Sequence, residues 1–139
     1  MKRKAFTIIL MLCLALSACG SSKKAAEGVD VDLSVLSGAV VYGQVSDMVN
    51  NGGNYQDQIV RMEGIVSTIP VVEKGKDPLT LYSCVIMAAS KCCSQGIEFV
   101  LKEGIDYPAV GKTIVVQGRW DWYQLYGVNR YRLLDAEII

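Results

Sequence analysis

The chain contains no histidine in its 139 residues. Histidine titrates near neutral pH, serves as the base in Ser-His-Asp and Cys-His nucleophile activation, and is the commonest protein ligand of transition metals. Its absence argues against hydrolytic chemistry of these types and against a metal site built on imidazole. We therefore expect a protein that is not an enzyme.

An excess of charge of one sign is also lacking, because 14 basic and 14 acidic residues give a formal net charge of +0. Three of the basic residues, Lys2, Arg3 and Lys4, lie at the N-terminus, where residues 1–18 contain no acid. Residues 19–139 thus carry three more acidic than basic groups. This balance does not favour an anionic partner, and no nucleic acid is expected to bind.

Only one long apolar run is present, over residues 5–16, and it is about a dozen residues long. A run of this length is too short to span a bilayer as a permanent helix. The basic residues before it and the small residues after it are typical of a secretory signal peptide, which we place at residues 1–18. No later run approaches the roughly twenty residues of a membrane span.

The signal peptide ends in the tetrapeptide Leu16-Ser17-Ala18-Cys19. This sequence resembles the lipobox of bacterial lipoproteins, in which signal peptidase II cuts before the cysteine after its sulfur has received a diacylglyceryl group. The resemblance implies that the mature chain begins at Cys19 and is lipid-anchored to the cell membrane on its extracytoplasmic face. Two acyl chains on one cysteine suffice for stable anchoring. The other interpretation is an ordinary secreted protein in which Cys19 is a small apolar residue.

Residues 19–37 are mostly small and charged, which predicts a tether of moderate flexibility. Within it, Val29, Val31 and Leu33 alternate with aspartates, a pattern that also fits an edge strand lying along the domain. The remaining residues, 38–139, are long enough to form one domain with its own core.

The domain begins with a helical pattern and continues with strand patterns. Val41, Val45, Met48 and Val49 recur at helical spacing after Ser37, a suitable N-cap, and the Asn-Asn-Gly-Gly sequence at 50–53 ends the helix. Short β-branched runs separated by Gly or Pro follow. They predict five strands at residues 59–68, 79–87, 97–101, 113–123 and 130–139.

Five strands after one short helix predict a mainly β fold, a small OB-like barrel. Glycines at Gly64 and Gly118 lie where a strand needs to coil. A small sandwich of two sheets is the alternative.

Three further cysteines, Cys84, Cys92 and Cys93, form the chemically distinctive cluster of the domain. Outside the cytoplasm Cys84 can pair with Cys92 or Cys93 and leave one spare thiol. Alternatively the three sulfurs bind Zn²⁺ or Cu⁺, with water or a carboxylate such as Glu98 as the fourth ligand. A third interpretation is that all three are reduced and packed. A bridge between the adjacent Cys92 and Cys93 is strained, because their α-carbons lie closer than disulfides usually allow.

Trp120 and Trp122 share a strand face with Ile114 and Val116 by the period of two, which places both indoles in the core. A bulge at Gly118 would instead turn both outward, as a platform on which sugars or bases stack.

Several motifs are similar to uncharacterised OB-like domains with a Cys-Cys loop. These domains occur in bacterial lipoproteins and in extracytoplasmic parts of permease-associated membrane proteins. The motifs in this chain are Cys92-Cys93, Gly96-Ile97-Glu98-Phe99-Val100, Tyr107-Pro108-x-Val110-Gly111, and Gly118 before an aromatic run, together with Val41 and Tyr42 of the helix. Residues 55–64 separately resemble, in part, the first strand of many bacterial extracytoplasmic OB-like domains.

The resemblance implies an OB-like fold, handling of a metal or small solute at the cell surface, and a membrane transporter or complex as partner. It supplies no catalytic residue. Many relatives carry Ala-Asp or a similar dipeptide with an acidic residue after the cysteine pair, where this chain has Ser94-Gln95. The sequence therefore predicts a lipid-anchored domain that binds a metal, a small ligand or a membrane partner. The alternative is a structural module of a membrane complex with a disulfide-stabilised loop.

Overall fold

The computed structural model describes residues 24–88, 90 and 93–139. One α-helix, α1 (Gly38–Asn50), lies in this part of the chain, with 3-10 turns at Leu33–Val35 and Gly52–Tyr55. Six strands are present there. They are β1 (Val31–Asp32), β2 (Ile59–Val71), β3 (Leu79–Met87), β4 (Ser94–Leu101), β5 (Thr113–Leu125) and β6 (Val128–Ile138).

Helix α1 forms because one face of it is apolar. Val41, Val45 and Met48 lie on that face at helical spacing and are buried. Ser37 is the N-cap residue, as the sequence predicts, but its backbone carbonyl rather than its hydroxyl is used: it accepts a hydrogen bond from Val41 N at 2.8 Å. The helix ends at Asn50, before the paired glycines.

The strand pairings form a closed circuit. β2 pairs antiparallel with β3, and β3 with β4. β4 then pairs with β6 in parallel, β6 with β5 antiparallel, and β5 antiparallel with the first half of β2. Because β2 is 13 residues long, its two halves pair with different neighbours, β5 and β3.

The core fills the space that the strands and α1 enclose. Its largest fully buried side chains include Trp120, Phe99, Met48 and Met62. On β2, β4 and β5 the buried residues alternate with exposed or half-buried ones, as in residues 114–120 of β5. The two-residue period seen in the sequence therefore reports the inward face correctly.

The N-terminal segment belongs to this domain as well. β1 runs parallel to β2, with Val31 opposite Val60, and Leu33 is 2% exposed. The last part of the predicted tether therefore forms the edge strand that the sequence pattern also allows. The part of the chain that packs on the domain begins before residue 38. This strand also accounts for the difference between the five predicted strands and the six observed.

Each of the five predicted strands has a counterpart in β2 to β6, and the mainly β class is confirmed. Three strands extend beyond their predicted limits: β4 and β6 begin earlier, and β5 ends later. The signal peptide and Cys19 lie outside the described residues. Within the described residues, no helix has the length and apolar character needed to cross a membrane.

Candidate ligand-binding groove

A groove of about 280 Å³ opens where β4 and β6 separate. The parallel pairing of β4 with β6 begins at Glu98 and Arg132. The residues that precede these two positions on each strand are not paired with each other, and they line the groove. The C-terminal part of α1 and the end of β2 supply other parts of its wall. We call this the aromatic groove, and its lining residues are Val49, Ile69, Gly96, Glu98, Trp120, Val128, Asn129, Arg130 and Tyr131.

Two stacked aromatic rings form the base of the aromatic groove. The ring of Tyr131 lies nearly parallel to that of Trp120, with centroids 5.5 Å apart and an interplanar angle of 18°. The indole N–H of Trp120 donates to the carbonyl of Gly52 at 2.8 Å. A β-carbon on residue 52 would lie 2.4 Å from the Tyr131 ring, so only glycine fits there. The rings are therefore held in fixed positions.

One wall of the aromatic groove carries a charge-compensated carboxylate. Glu98 Oε1 accepts two hydrogen bonds from Arg130, one of them from Nε at 2.7 Å. Glu98 Oε2 accepts a third from the hydroxyl of Tyr123. The Glu98 side chain is 12% exposed, which makes its interaction with the arginine stronger than that of a solvated ion pair. The wall is polar, ordered and without net charge.

The phenol of Tyr123 is held in its neutral form by this arrangement. Burial, and then the hydrogen bond to Glu98, raise the pKa of Tyr123 to about 12. At neutral pH it is a hydrogen-bond donor and cannot act as a base.

A second cluster continues the polar wall along β6. Arg132 Nε donates to Asp121 at 2.9 Å, and its guanidinium carbon lies 4.4 Å from the centroid of the Tyr123 ring. Asp121 and Arg132 face each other in the β5–β6 register, as Tyr123 and Arg130 do. The side chains of Arg130 and Arg132 are each about three quarters buried.

On the other side of Glu98 lies a second depression, of about 310 Å³, between β3, β4 and the loop after β4. Its aromatic part is Tyr82 stacked on Tyr107, with centroids 4.1 Å apart. The Tyr107 hydroxyl accepts a hydrogen bond from Leu101 N at 3.2 Å. Glu98 lines both depressions, and it therefore separates two aromatic surfaces.

The turn between β2 and β3 and the turn between β5 and β6 approach each other. The Lys76 ammonium nitrogen lies 5.7 Å from the centroid of the Tyr126 ring, within the range of a cation–π contact.

The structure separates the cysteines that the sequence groups together. Cys84 is a free thiol, fully buried in the core. Cys93 is exposed and precedes β4; its carbonyl accepts from Ala88 N at 2.9 Å. Cys93 thus lies opposite Ala88, four residues and about 13 Å along the strand from Cys84, too far for a disulfide between these two. Cys92 lies outside the described residues.

The predicted metal set is not assembled within the described residues. Cys84 faces Ile97 in the β3–β4 register and is on the inner face of the sheet. Glu98, the next residue, is on the opposite face, where Arg130 and Tyr123 occupy its oxygens. Among the described residues no group of three His, Cys, Asp or Glu is arranged to hold a metal. A Zn²⁺ or Cu⁺ site that uses Cys92 stays a prediction.

The two tryptophans have different environments. The core position is confirmed for Trp120 and wrong for Trp122, which is 53% exposed. Both lie on the same strand face, but β5 extends beyond the core, and Trp122 pairs with Tyr131 near the end of the hairpin. A platform that includes both indoles is excluded, because Trp120 is fully buried.

Sequence reasoning missed the link between Glu98, Tyr123 and Arg130. The alternation of residues along each strand predicts that these side chains lie on an outer face. This was the only sequence signal that pointed to them. Their meeting depends on the parallel pairing of β4 with β6, which joins strands from distant parts of the chain and has no local signature.

Comparison with protein-family models, with curated proteins and with solved structures found no match to this chain.

Proposed function

We propose that this protein is a lipid-anchored extracytoplasmic binding protein whose domain is an OB-like barrel. The proposed ligand is a small uncharged sugar. The apolar face of its ring packs in the aromatic groove. The observation that carries this proposal is the neutral wall of Glu98, Arg130 and Tyr123 beside the stacked rings of Trp120 and Tyr131.

The strand circuit supports the barrel. An OB-like barrel is a five-stranded Greek-key arrangement, and the pairings of β2 to β6 return to β2 with one parallel step. OB-like barrels bind oligosaccharides and oligonucleotides on one strand face and on the loops beside it. The turns that meet at Lys76 and Tyr126 are the corresponding loops in this chain.

The chemistry of the aromatic groove favours a sugar over a nucleic acid. The half-buried ring of Tyr131, which stacks on the buried Trp120, offers apolar contact to a sugar ring, while the arginine, glutamate and asparagine side chains offer several hydrogen bonds to hydroxyl groups. Oligonucleotides need uncompensated positive charge for their phosphates, whereas Arg130 is already paired with Glu98.

Two observations favour binding over catalysis. The chain has no histidine to act as a base, and the one carboxylate that lines the groove, Glu98, already accepts hydrogen bonds from Arg130 and from the Tyr123 hydroxyl. Tyr123, whose pKa is raised, stays neutral and donates its proton to Glu98, so it does not supply a nucleophile or a base.

The lipid anchor is supported by the sequence around Cys19. Labelling of growing cells with an alkyne-bearing fatty acid is expected to mark the wild-type chain at its N-terminus and not the Cys19→Ser variant. A labelled variant, or an unlabelled wild type, would contradict the anchor.

Binding is tested with an array of neutral and charged glycans, followed by calorimetry on any saccharide that binds. The Glu98→Gln variant is expected to bind it roughly tenfold more weakly or worse, because hydrogen bonds to charged groups contribute about 1.5–3 kcal/mol. Glu137→Gln is the matched control, since Glu137 is a half-exposed carboxylate that is paired with Lys102 and does not line the groove. No bound glycan, or equal affinity in Glu98→Gln, would refute the proposal.

A structural module of a membrane complex is the second candidate. The β2–β3 hairpin favours it, because Ile69, Val72 and Leu79 are exposed there, Val72 by 75%. Crosslinking in cells through the hairpin is expected to capture a membrane protein if this candidate is right. Cys84, as a free thiol, contributes no cross-link to such a module.

A further inference from the structure

The N-terminal segment is fixed to the domain by hydrogen bonds on several residues. Ala26 N donates to Asp32 at 2.9 Å. Asp30 N donates to the Ile59 carbonyl at 2.9 Å, and Ile59 N donates back to the Asp30 carboxylate at 2.7 Å. Together with β1 and the buried Leu33, these contacts hold the chain on the domain from Ala26 onward.

Only six residues therefore separate the domain from Cys19, the residue proposed to carry the lipid. Seven peptide units span at most about 25 Å when fully extended. This is less than the ~30 Å diameter of a small domain. The side of the domain from which this segment emerges must stay close to the bilayer.

An apolar depression lies on that side. The surface beside Lys24 and Ala26 shares Ser34 and Glu63 with the wall of a depression of about 420 Å³. Leu36, Ile65 and Met87 line this depression and are 37%, 42% and 46% exposed.

We propose that this surface, which we call the apolar rim (Leu36, Ile65 and Met87), rests on the lipid bilayer. The inference depends on the proposed lipid anchor, because the anchor supplies the proximity. The apolar side chains of a surface that rests on a bilayer enter the boundary between the lipid headgroups and the acyl chains. Charge contributes little, since Lys24 and Arg61 beside the rim are balanced by Asp32 and Glu63.

A weak contact suffices here because the anchor makes it intramolecular. A tethered surface experiences a high effective concentration of its target, so three apolar side chains can hold an orientation that they could not establish from solution. The consequence is a domain with one face on the membrane and the far end of its strands directed away from it.

The two ends of β3 offer a matched test of this orientation. Met87 and Leu79 are eight residues apart, so they lie on the same face and about 26 Å from each other. Their exposed fractions are similar, 46% and 41%. Met87 belongs to the apolar rim, whereas Leu79 is at the opposite end.

The experiment uses the lipidated full chain in phosphatidylcholine and phosphatidylglycerol vesicles with bromine on the acyl chains, and unbrominated vesicles as reference. Trp122→Phe is the background, which leaves only the buried Trp120. In this background, Met87→Trp is expected to lose emission to the brominated lipid, and Leu79→Trp is expected to keep it, because bromine quenches only at short range.

Equal quenching of the two variants, or no quenching of either, would overturn the inference. Mass spectrometry of the vesicle-bound protein separates this result from a failure of the anchor. If Cys19 carries acyl chains and the two variants behave alike, the orientation alone is wrong. If Cys19 carries none, the proposed anchor is wrong and the orientation is refuted with it.

Discussion

The sulfur of Cys84 lies against Gly64 of the neighbouring strand. A β-carbon on residue 64 would stand 2.8 Å from Cys84 Sγ and 2.7 Å from the backbone oxygen of Val85. Real β-carbons do not approach other atoms so closely, and the backbone oxygen cannot move aside without disturbing the β2–β3 pairing. The sequence indicates that Gly64 allows the strand to coil. The structure gives a second reason for glycine there, which is the absence of space for a β-carbon.

Gly64→Ala is therefore expected to destabilise the domain by about 1–3 kcal/mol, the usual cost of overpacking a core. Gly43→Ala is the control: Gly43 lies within α1 with nothing close to its β-carbon position, and alanine there should stabilise by about 0.5–1 kcal/mol. Urea unfolding followed by circular dichroism measures both. A neutral Gly64→Ala would show that β2 and β3 are less closely packed than described.

Trp120 and Trp122 should differ sharply in their contribution to stability. Trp120→Phe removes buried volume and leaves the Gly52 carbonyl without its donor, which predicts a loss of about 2–4 kcal/mol. Trp122→Phe should change stability by no more than about 0.5 kcal/mol, as is typical of exposed positions. Thermal unfolding of the two variants tests this, and similar melting temperatures would contradict the environments assigned to the two indoles.

The domain is expected to lose stability in alkaline solution because of Cys84. Burial, and then the nearby charge of Glu63, raise the pKa of this thiol from its ordinary 9.0 to about 12. The unfolded chain therefore releases a proton above pH 9 that the folded chain keeps, so the free energy of unfolding falls as pH rises through the interval from 9 to 12. The slope from one such group approaches about 1.4 kcal/mol per pH unit.

Urea unfolding in reductant at pH 8.5 and pH 10 measures this effect. Cys84→Ala should show a smaller loss between the two pH values than wild type. Tyr123, with its pKa raised from 10.0, acts in the same direction but mainly above pH 10. An equal loss in wild type and Cys84→Ala would rule out the buried thiol as the cause.

Glu98→Gln is expected to lower the pKa of Tyr123, because the hydrogen bond to Glu98 and the charge of that carboxylate both raise it. Arg130, which lowers this pKa, remains in the variant and acts in the same direction as the substitution. Ultraviolet titration of the phenols, with Tyr123→Phe to identify the signal, measures the change. Glu137→Gln should leave this titration unchanged, and a shift of the same size there would indicate a general charge effect.

Local patterns in the sequence predicted the elements well. The apolar spacing of Val41, Val45 and Met48 located α1, and alternation located β2 to β6, because both periods reflect the inward face directly. Trp122 was misplaced for a related reason. The period of two assigns a face to a side chain and does not show where along the strand the core ends.

The candidate groove was much less predictable. It depends on which strands are neighbours, and the β4–β6 pairing joins Glu98 to Arg132 across a hairpin and a loop. The same limitation affected the cysteines. The sequence shows that Cys84 and Glu98 are close along the chain, while the register places them on opposite faces of the sheet.

The pairing of β2 with β5 has a consequence for how quickly the domain folds. Ile59 pairs with Arg119, so the strand circuit closes between residues 60 positions apart. The β2–β3 and β5–β6 hairpins need only short turns and can form early, whereas closure requires the ordering of a long intervening chain. Such non-local pairings place a domain among slow folders, in the range of milliseconds to seconds. The groove exists only after that last step, because its walls come from strands that closure brings together.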